Sequence, residues 1–498
     1  MITLLPAFLA GILTSALSSF EQASWLQIIA LAWFWNYLDK HNFQASRKQA
    51  KLGWAFGFGY FSLGLWWLYI SLHDVGGMPA IQAIGGVLLL SGFLALFPSF
   101  AVWLGTRFHY RSYSAISWAA AWTFSEWLRG HILTGFPWIG YGDSQVSGPF
   151  MGIIPIFGSL GATFAVLWTA HQLGSIRRHF FKSISSVALL ILICSLLEGI
   201  QYTQAVGKLL EVRLVQGNFL ESMHFNPEKI RTQINFYTQS LTSRNTDLVI
   251  TPETAFPIPA DNLPVGLTEQ LQDYAKKNQT HLLTGIIGKV GDKYSNRAMN
   301  INPNGSIYTY DKEHLVPFGE YVPFGFRWFT NAIEAPLSDF ARGGKEQDNL
   351  VIQRPNEIDL HAAITICYED VFGDELAYRL RHAKNDTNLL INMTNLAWFG
   401  HSQAPEQQLR LSRLRSLETG LPGVRATNTG VTAFINSEGK VVQRLAEFKQ
   451  DSLVGSLQAR TGKTPYVRWG DWPLLYISLL ILAISTIRLR RSQLKGEF

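Results

Sequence analysis

A chain of 498 residues has room for two or three domains, and with 47% apolar and 13% aromatic residues it is neither disordered nor fibrous. Only 16% of its residues are charged, against roughly 25% in ordinary soluble proteins, so part of the chain is nearly charge-free and suited to lipid. The net charge of +6 is modest, and Lys and Arg fall in short clusters between apolar runs, which argues against the basic stripe of a nucleic-acid binder.

In chain order, apolar segments come first. Seven lie near residues 3–19, 24–38, 52–72, 83–105, 113–128, 150–173 and 183–200, each near the roughly 20 residues that cross a bilayer as helix. The first is followed by further spans and has no clear cleavage site, so it is expected to remain in the protein. An eighth, LLYISLLILAISTI at 474–487, follows Trp469 and Trp472 and precedes RLRR, flanks that mark two membrane faces. The loops RKQAK at 47–51, around Arg107 and Arg111, and RRHFFK at 177–182 are basic and alternate. Setting them in the cytoplasm places both termini inside and residues 201–473 outside. The expected organisation is a membrane domain over 1–200 with seven transmembrane helices, an extracytoplasmic domain over 201–465, and a final helix with a basic tail over 466–498.

The polar interval has a different period. EVRLVQGN, DLVITPE, HLLTGIIG, HAAITICYED, NLLINMTN and VTAFINSEGKVVQRL are short β-branched runs, some beside turn signals such as NPNG and NSEG. PEKIRTQINFYTQSL, LTEQLQDYAKKN, DELAYRLRHAKN and PEQQLRLSRLRSLE carry apolar residues at helical spacing. These alternate into a mixed α/β domain.

Motifs exclude several chemistries: there is no GxxxxGK[ST], HExxH, CxxC or GxSxG. The two cysteines, Cys194 and Cys367, lie far apart in regions of different composition and form no disulfide or zinc framework. An unpaired thiol outside the cytoplasm is a liability unless its chemistry is used. Cys367 is either a small buried strand residue or a nucleophile, and ITICYED puts it where an apolar strand gives way to paired acids. Glu253, in TPETAFP, emerges from an apolar strand between two prolines; it is a solvated loop acid or a general base. Lys312 follows the strand GSIYTY, and Glu320 lies in the aromatic loop after it. Lys312 is a surface charge or, with Glu253 and Cys367, the oxyanion stabiliser of an acyl-transfer site. His314 has no second ligand at metal spacing, so neither metal nor cofactor is expected. Arg410, Arg413 and Arg415 read as a solvated helix face. Glu126 and Arg129 are a structural pair or a substrate contact, and Trp138 is a candidate lipid contact.

The order Glu253, Lys312, Cys367 in the contexts TPETAFP, YDKEHLVPFGEYVP and CYE resembles the nitrilase-type triad of the apolipoprotein N-acyltransferases. SEWLRG at 125–130 and TGFPW at 134–138 are similar to that family's amino-terminal signature. The resemblance implies an αββα nitrilase-like sandwich joined to a multi-span α-helical membrane domain. It implies transfer of a fatty acyl chain from a membrane phospholipid, through a thioester, to the amine of the N-terminal diacylglyceryl-cysteine of apolipoproteins. It further implies the bacterial inner membrane, a periplasmic catalytic domain, and no nucleic-acid partner. Cys367 would be the nucleophile, Glu253 the base and Lys312 the oxyanion stabiliser, with Glu320, Tyr368 and Glu369 in support or substrate positioning. Phe225 aligns where the family often has Trp. The rival readings are a membrane-tethered amidase with the same triad, and a transporter or receptor with an extracytoplasmic domain.

Overall fold

The computed structural model describes residues 4–20, 24–41, 46–107, 114–220, 226–325, 327 and 339–494. The chain divides into two compact units, one of Met1–Tyr69, Pro79–Gln201 and Trp469–Phe498, the other of Ile70–Met78 and Tyr202–Arg468.

In the first unit, apolar stretches with no strand alternation become helices: Leu4–Ser18, Gln27–Lys40, Ser46–Gly64, Ala80–Leu94, Leu96–Arg107, Ser114–His131, Ile154–Gly174, Phe180–Glu198 and Trp472–Leu494. Ala80–Arg107, Met151–Gly174 and Phe180–Glu198 are long and apolar enough to cross a membrane, and Leu4–Ser18 and Trp472–Arg488 are shorter apolar helices. RKQAK, expected as a loop, instead forms the opening turns of Ser46–Gly64. Its Arg47, Lys48 and Lys51 remain exposed, so the helix extends without burying a charge.

Small residues let these helices approach closely. A Cβ on Gly11 would collide with the Phe56 carbonyl, and one on Gly59 with that of Phe8. Arg129 and Glu126 form a buried i,i+3 pair at 2.5 Å. The same guanidinium donates to the carbonyls of Phe136 and Trp138. The pair thus has a structural use: it ties the loop TGFPW to its helix. Trp138 is not a lipid contact, being 3% exposed and packed on Trp67 at 5.2 Å between ring centroids.

The second unit has fifteen strands among the described residues: β1 (Gln204–Ala205), β2 (Leu210–Gln216), β3 (Leu248–Ile250), β4 (Phe256–Pro259), β5 (His281–Val290), β6 (Lys293–Ile301), β7 (Ile307–Asp311), β8 (Leu350–Ile352), β9 (Leu360–Ile366), β10 (Leu389–Thr394), β11 (Gly423–Thr427), β12 (Ala433–Ile435), β13 (Val441–Arg444), β14 (Asp451–Leu457) and β15 (Arg460–Thr461). One sheet runs β14-β2-β3-β5-β6-β7 with β4 beside β5, the other β13-β12-β11-β10-β9-β8, and β1 pairs with β15. The central strands β2, β3 and β5 are parallel, as are β9, β10 and β11.

Alternation along each strand decides the layers. Leu210, Val212, Leu214, Leu248 and Ile250 of one sheet share a core with Ile364, Ile366, Leu389, Ile391 and Met393 of the other. Val249 and Leu282 point the opposite way, onto the helices Pro227–Thr242 and Leu267–Asn278. Ala363 and Leu390 likewise face helix Gly373–His382. The result is a four-layer αββα sandwich. Pro227–Thr242 starts where Asn226 accepts hydrogen bonds from the amides of Glu228 and Lys229, with Pro227 preset in its first turn.

Helix Ala404–Thr419 corrects one expectation. It is buried along almost its whole length, so its arginines are no solvated face. Arg413 donates to the Gly439 carbonyl at 2.7 Å, and Arg415 pairs with Glu418 at 3.0 Å. The helix is buried more fully than its own pattern suggests, because groups of other segments, such as the Gly439 carbonyl, accept from its polar side chains.

Candidate active site

Strand ends bring the predicted residues together. Lys312, one residue past β7, is 1% exposed, an arrangement tolerable only with counter-charges. Its ammonium donates to Glu320 Oε1 at 2.9 Å and Glu253 Oε1 at 3.3 Å. Asn296 of β6 bridges the same two carboxylates, donating at 2.7 Å to Glu253 and 2.8 Å to Glu320. The second oxygens are held by backbone: Glu253 Oε2 by the Asn395 amide at 2.7 Å and Glu320 Oε2 by that of Val316 at 2.8 Å.

Cys367 follows β9 and opens the short turn Cys367–Val371 with φ +53°. A left-handed non-glycine residue costs on the order of 1–3 kcal/mol and persists where its surroundings dictate it. The strain turns the chain sharply between strand and turn at the thiol.

Electrostatics links these groups. Burial favours the neutral Lys312 amine, but Glu253 and Glu320 outweigh it and hold the ammonium above its ordinary value. Burial pushes the Cys367 thiol well up, Glu253 adds to this, and Lys312 opposes it. The resting sulfur is therefore protonated at neutral pH.

Glu369 is a fastener. Its carboxylate accepts from the Ile366 amide at 2.6 Å, the Glu313 amide at 2.7 Å and the Tyr310 hydroxyl at 2.8 Å, joining the end of β9 to the loop after Lys312. Burial raises its pKa, and Arg379, which also donates to the Tyr310 hydroxyl at 2.6 Å, opposes that. Tyr368 is 4% exposed and meets His314 edge-on. His314 stacks on Phe372 at 3.7 Å and hydrogen-bonds Glu375 at 2.9 Å, a loop-fastening part. No metal-ligating cluster exists among the described residues. Phe225 lies outside the described residues.

Glu313 is pushed up to about 7 by burial and by the Glu375 and Glu369 carboxylates. Between its ordinary 4.5 and about 7, the folded state holds a proton that the unfolded chain has released. Its stabilising contribution is therefore complete at the acidic end of that window and is lost as pH rises through it. Thermal midpoints measured across this range should fall with pH, and Glu313→Gln should flatten the fall.

Asn296, Asn395, Tyr310 and Arg379 were not foreseen from sequence. The available signal was polar residues interrupting β-branched runs, as in SNRAMN and NMTN.

Residues 10–171 match the family model described as apolipoprotein N-acyltransferase N-terminal domain, and residues 211–466 that of carbon-nitrogen hydrolase. The chain is 41% identical over 483 residues to the apolipoprotein N-acyltransferase of Ralstonia nicotianae, covering 94% of this chain and 90% of that one. It is 36% identical to that of Nitrosomonas europaea (92% and 91% covered) and 34% to that of Haemophilus influenzae (91% and 88%). Among solved structures, a CN-hydrolase superfamily protein of Xanthomonas campestris aligns with TM-score 0.37 at 18% identity, over 50% of this chain and 91% of that one.

Proposed function

Because the chain belongs to the apolipoprotein N-acyltransferase family, we propose that it transfers a fatty acyl chain from a membrane phospholipid to the amine of diacylglyceryl-cysteine at the N-terminus of apolipoproteins. The observation that carries this reading is the buried ammonium of Lys312 shared by Glu253 and Glu320 in a domain where Cys367 stands at a strand end in a left-handed conformation.

Proton transfer from Cys367 to Glu253 moves a negative charge within the cluster and leaves its net charge unchanged. A thiolate forms without a further buried charge being created. It attacks the ester carbonyl of the phospholipid. Two of the three Lys312 N–H donors are engaged by the carboxylates, which leaves one for the developing oxyanion. Glu253 returns the proton to the departing glycerol oxygen, so lysophospholipid leaves and the acyl group stays as a thioester. The uncharged acceptor amine then attacks this thioester. Glu253 takes a proton from the amine and returns it to sulfur, giving amide and free thiol.

Glu320 keeps Lys312 charged and aimed. Glu369 holds β9 against the Lys312 loop, and Tyr368 packs the wall beside it. Phe225 is a candidate substrate contact.

The apolar helices suit a multi-pass protein of the bacterial inner membrane. We take residues 1–200 as seven spans and 466–498 as an eighth with its tail, both termini cytoplasmic and residues 201–465 periplasmic. Membrane-impermeant labelling of single cysteines introduced at Lys48 and at Lys277, with Cys194 and Cys367 replaced by alanine, tests the topology: only the second should react in intact spheroplasts.

Purified protein given phospholipid and a diacylglyceryl-cysteine peptide should yield N-acyl peptide with ping-pong kinetics. Hydrolysis of small amides at a comparable rate, with no acyl peptide, would favour the amidase reading.

Gly285 of β5 has no room for a side chain, since a Cβ would lie 2.5 Å from the Thr254 nitrogen and 2.7 Å from the Glu253 Cα. Gly285→Ala should therefore displace the base and lower kcat about a hundredfold, the scale of a 1 Å misplacement. Acyl-transfer rate read beside the thermal midpoint separates this from unfolding.

A further inference from the structure

A second polar assembly, which the proposed chemistry does not use, meets the nucleophile through Gln408. Gln408, on helix Ala404–Thr419, is 0% exposed. Its Nε2 donates to the Cys367 carbonyl at 2.9 Å and lies 3.9 Å from Cys367 Sγ. Its Oε1 accepts from Arg425 Nη2 at 2.8 Å. Arg425, in the middle of β11, is also 0% exposed and donates from Nη1 to Asn392 Oδ1 at 2.8 Å and Ser412 Oγ at 2.9 Å. Ser412 bonds to Asp370 Oδ2, while Asp370 Oδ1 accepts from Thr365 at 2.6 Å. Asp370 lies 3.7 Å from the guanidinium.

Chemistry fixes which end of the Gln408 amide faces the thiol. A guanidinium only donates, so the amide oxygen must face Arg425 and the NH2 group must face Cys367. One N–H meets the carbonyl of the residue held at φ +53°. The other has the sulfur as its neighbour. At 3.9 Å this is a loose contact with a thiol, and it tightens when the sulfur becomes an anion. Gln408 thus stands between the buried guanidinium and the sulfur, bonded to the first and in reach of the second.

We propose that Gln408 is a positioning residue for the nucleophile: oriented by Arg425, it holds Cys367 in its left-handed conformation and donates to the sulfur when the thiolate forms. This rests on the reading of Cys367 as the nucleophile. Asp370, Ser412 and Asn392 keep Arg425 in place.

The test uses the full-length protein in mixed phospholipid–detergent micelles. Iodoacetamide alkylation of Cys367 is followed across pH by peptide-resolved mass spectrometry, which separates it from Cys194. The rate of lysophospholipid release is measured on the same samples. Gln408→Leu removes the donor. Alkylation should slow about tenfold at every pH below the thiol's titration, one pKa unit's worth. The kcat for lysophospholipid release should fall by a like factor while KM for phospholipid is unchanged.

Gln408→Glu keeps a partner for Arg425, and with it the fold, but turns an acceptor toward Cys367. Its loss should be larger. A folded Gln408→Leu whose alkylation profile superimposes on the wild type overturns the proposal. Should the leucine variant not fold, Gln408→Glu decides, and alkylation as fast as the wild type overturns it. Wild-type protein that never carries an acyl group on Cys367 defeats the acyl-enzyme reading instead, and the alkylation profiles still test Gln408.

Discussion

Cys367→Ala should abolish N-acylation of diacylglyceryl-cysteine peptides, with a loss on the order of a thousandfold or more, because no other residue replaces the covalent step. The fold should persist. Cys367 lies at the edge of its core cluster, only partly buried, so truncation to alanine leaves a small void. Cys367→Ser sharpens the result. It keeps the shape and a hydrogen-bonding atom, but an alcohol is far less acidic than a thiol, and the same Glu253 cannot ionise it usefully. Serine should therefore be as inactive as alanine in acyl transfer. A transporter or receptor would keep its activity in both variants.

The second large effect concerns Lys312. Lys312→Met removes the only cation bonded to both Glu253 and Glu320 among the described residues. Two carboxylates then face Asn296 without a counter-charge, at a cost of about 3–5 kcal/mol, the usual penalty for breaking a buried ion pair from one side. One carboxylate should relieve this by taking a proton. Activity should fall on the order of a thousandfold, because oxyanion stabilisation is lost and the base is altered. Lys312→Met combined with Glu320→Gln separates the causes. Removing one of the facing charges should restore much of the thermal stability, whereas turnover should stay lost. Recovery of activity in the double variant would mean that Lys312 serves the fold alone.

Much of this site was legible because its chemistry sits where patterns change. The apolar strand runs stop at Thr251, Lys312 and Cys367, each the first residue past its strand. Runs such as HLLTGIIG and NLLINMTN became β5 and β10 because a short apolar run with β-branched residues suits a strand buried on both faces. What stayed hidden depends on partners distant in sequence. Nothing local in GVRAT marks Arg425, and only the packing of helix Ala404–Thr419 over β11 makes it a buried hub. Asn296 in SNRAMN is likewise given its use by two carboxylates from other segments. The arginines of Ala404–Thr419 misled for the same reason: their acceptors at Gly439 and Val371 are far away in the chain. Of the two readings of Glu126 and Arg129 the structural one holds, and the carbonyls that Arg129 bonds, those of Phe136 and Trp138, come within reach only when the chain doubles back.

The central claim is that Cys367 carries the acyl chain. Full-length protein incubated with a phospholipid of defined acyl composition, without acceptor peptide, should gain the mass of one acyl group on the Cys367 peptide. The adduct should be hydroxylamine-labile and should disappear, with appearance of N-acyl peptide, when diacylglyceryl-cysteine peptide is added. N-acyl peptide forming at the full rate while Cys367 remains unmodified, or in the Cys367→Ala variant, would contradict the account.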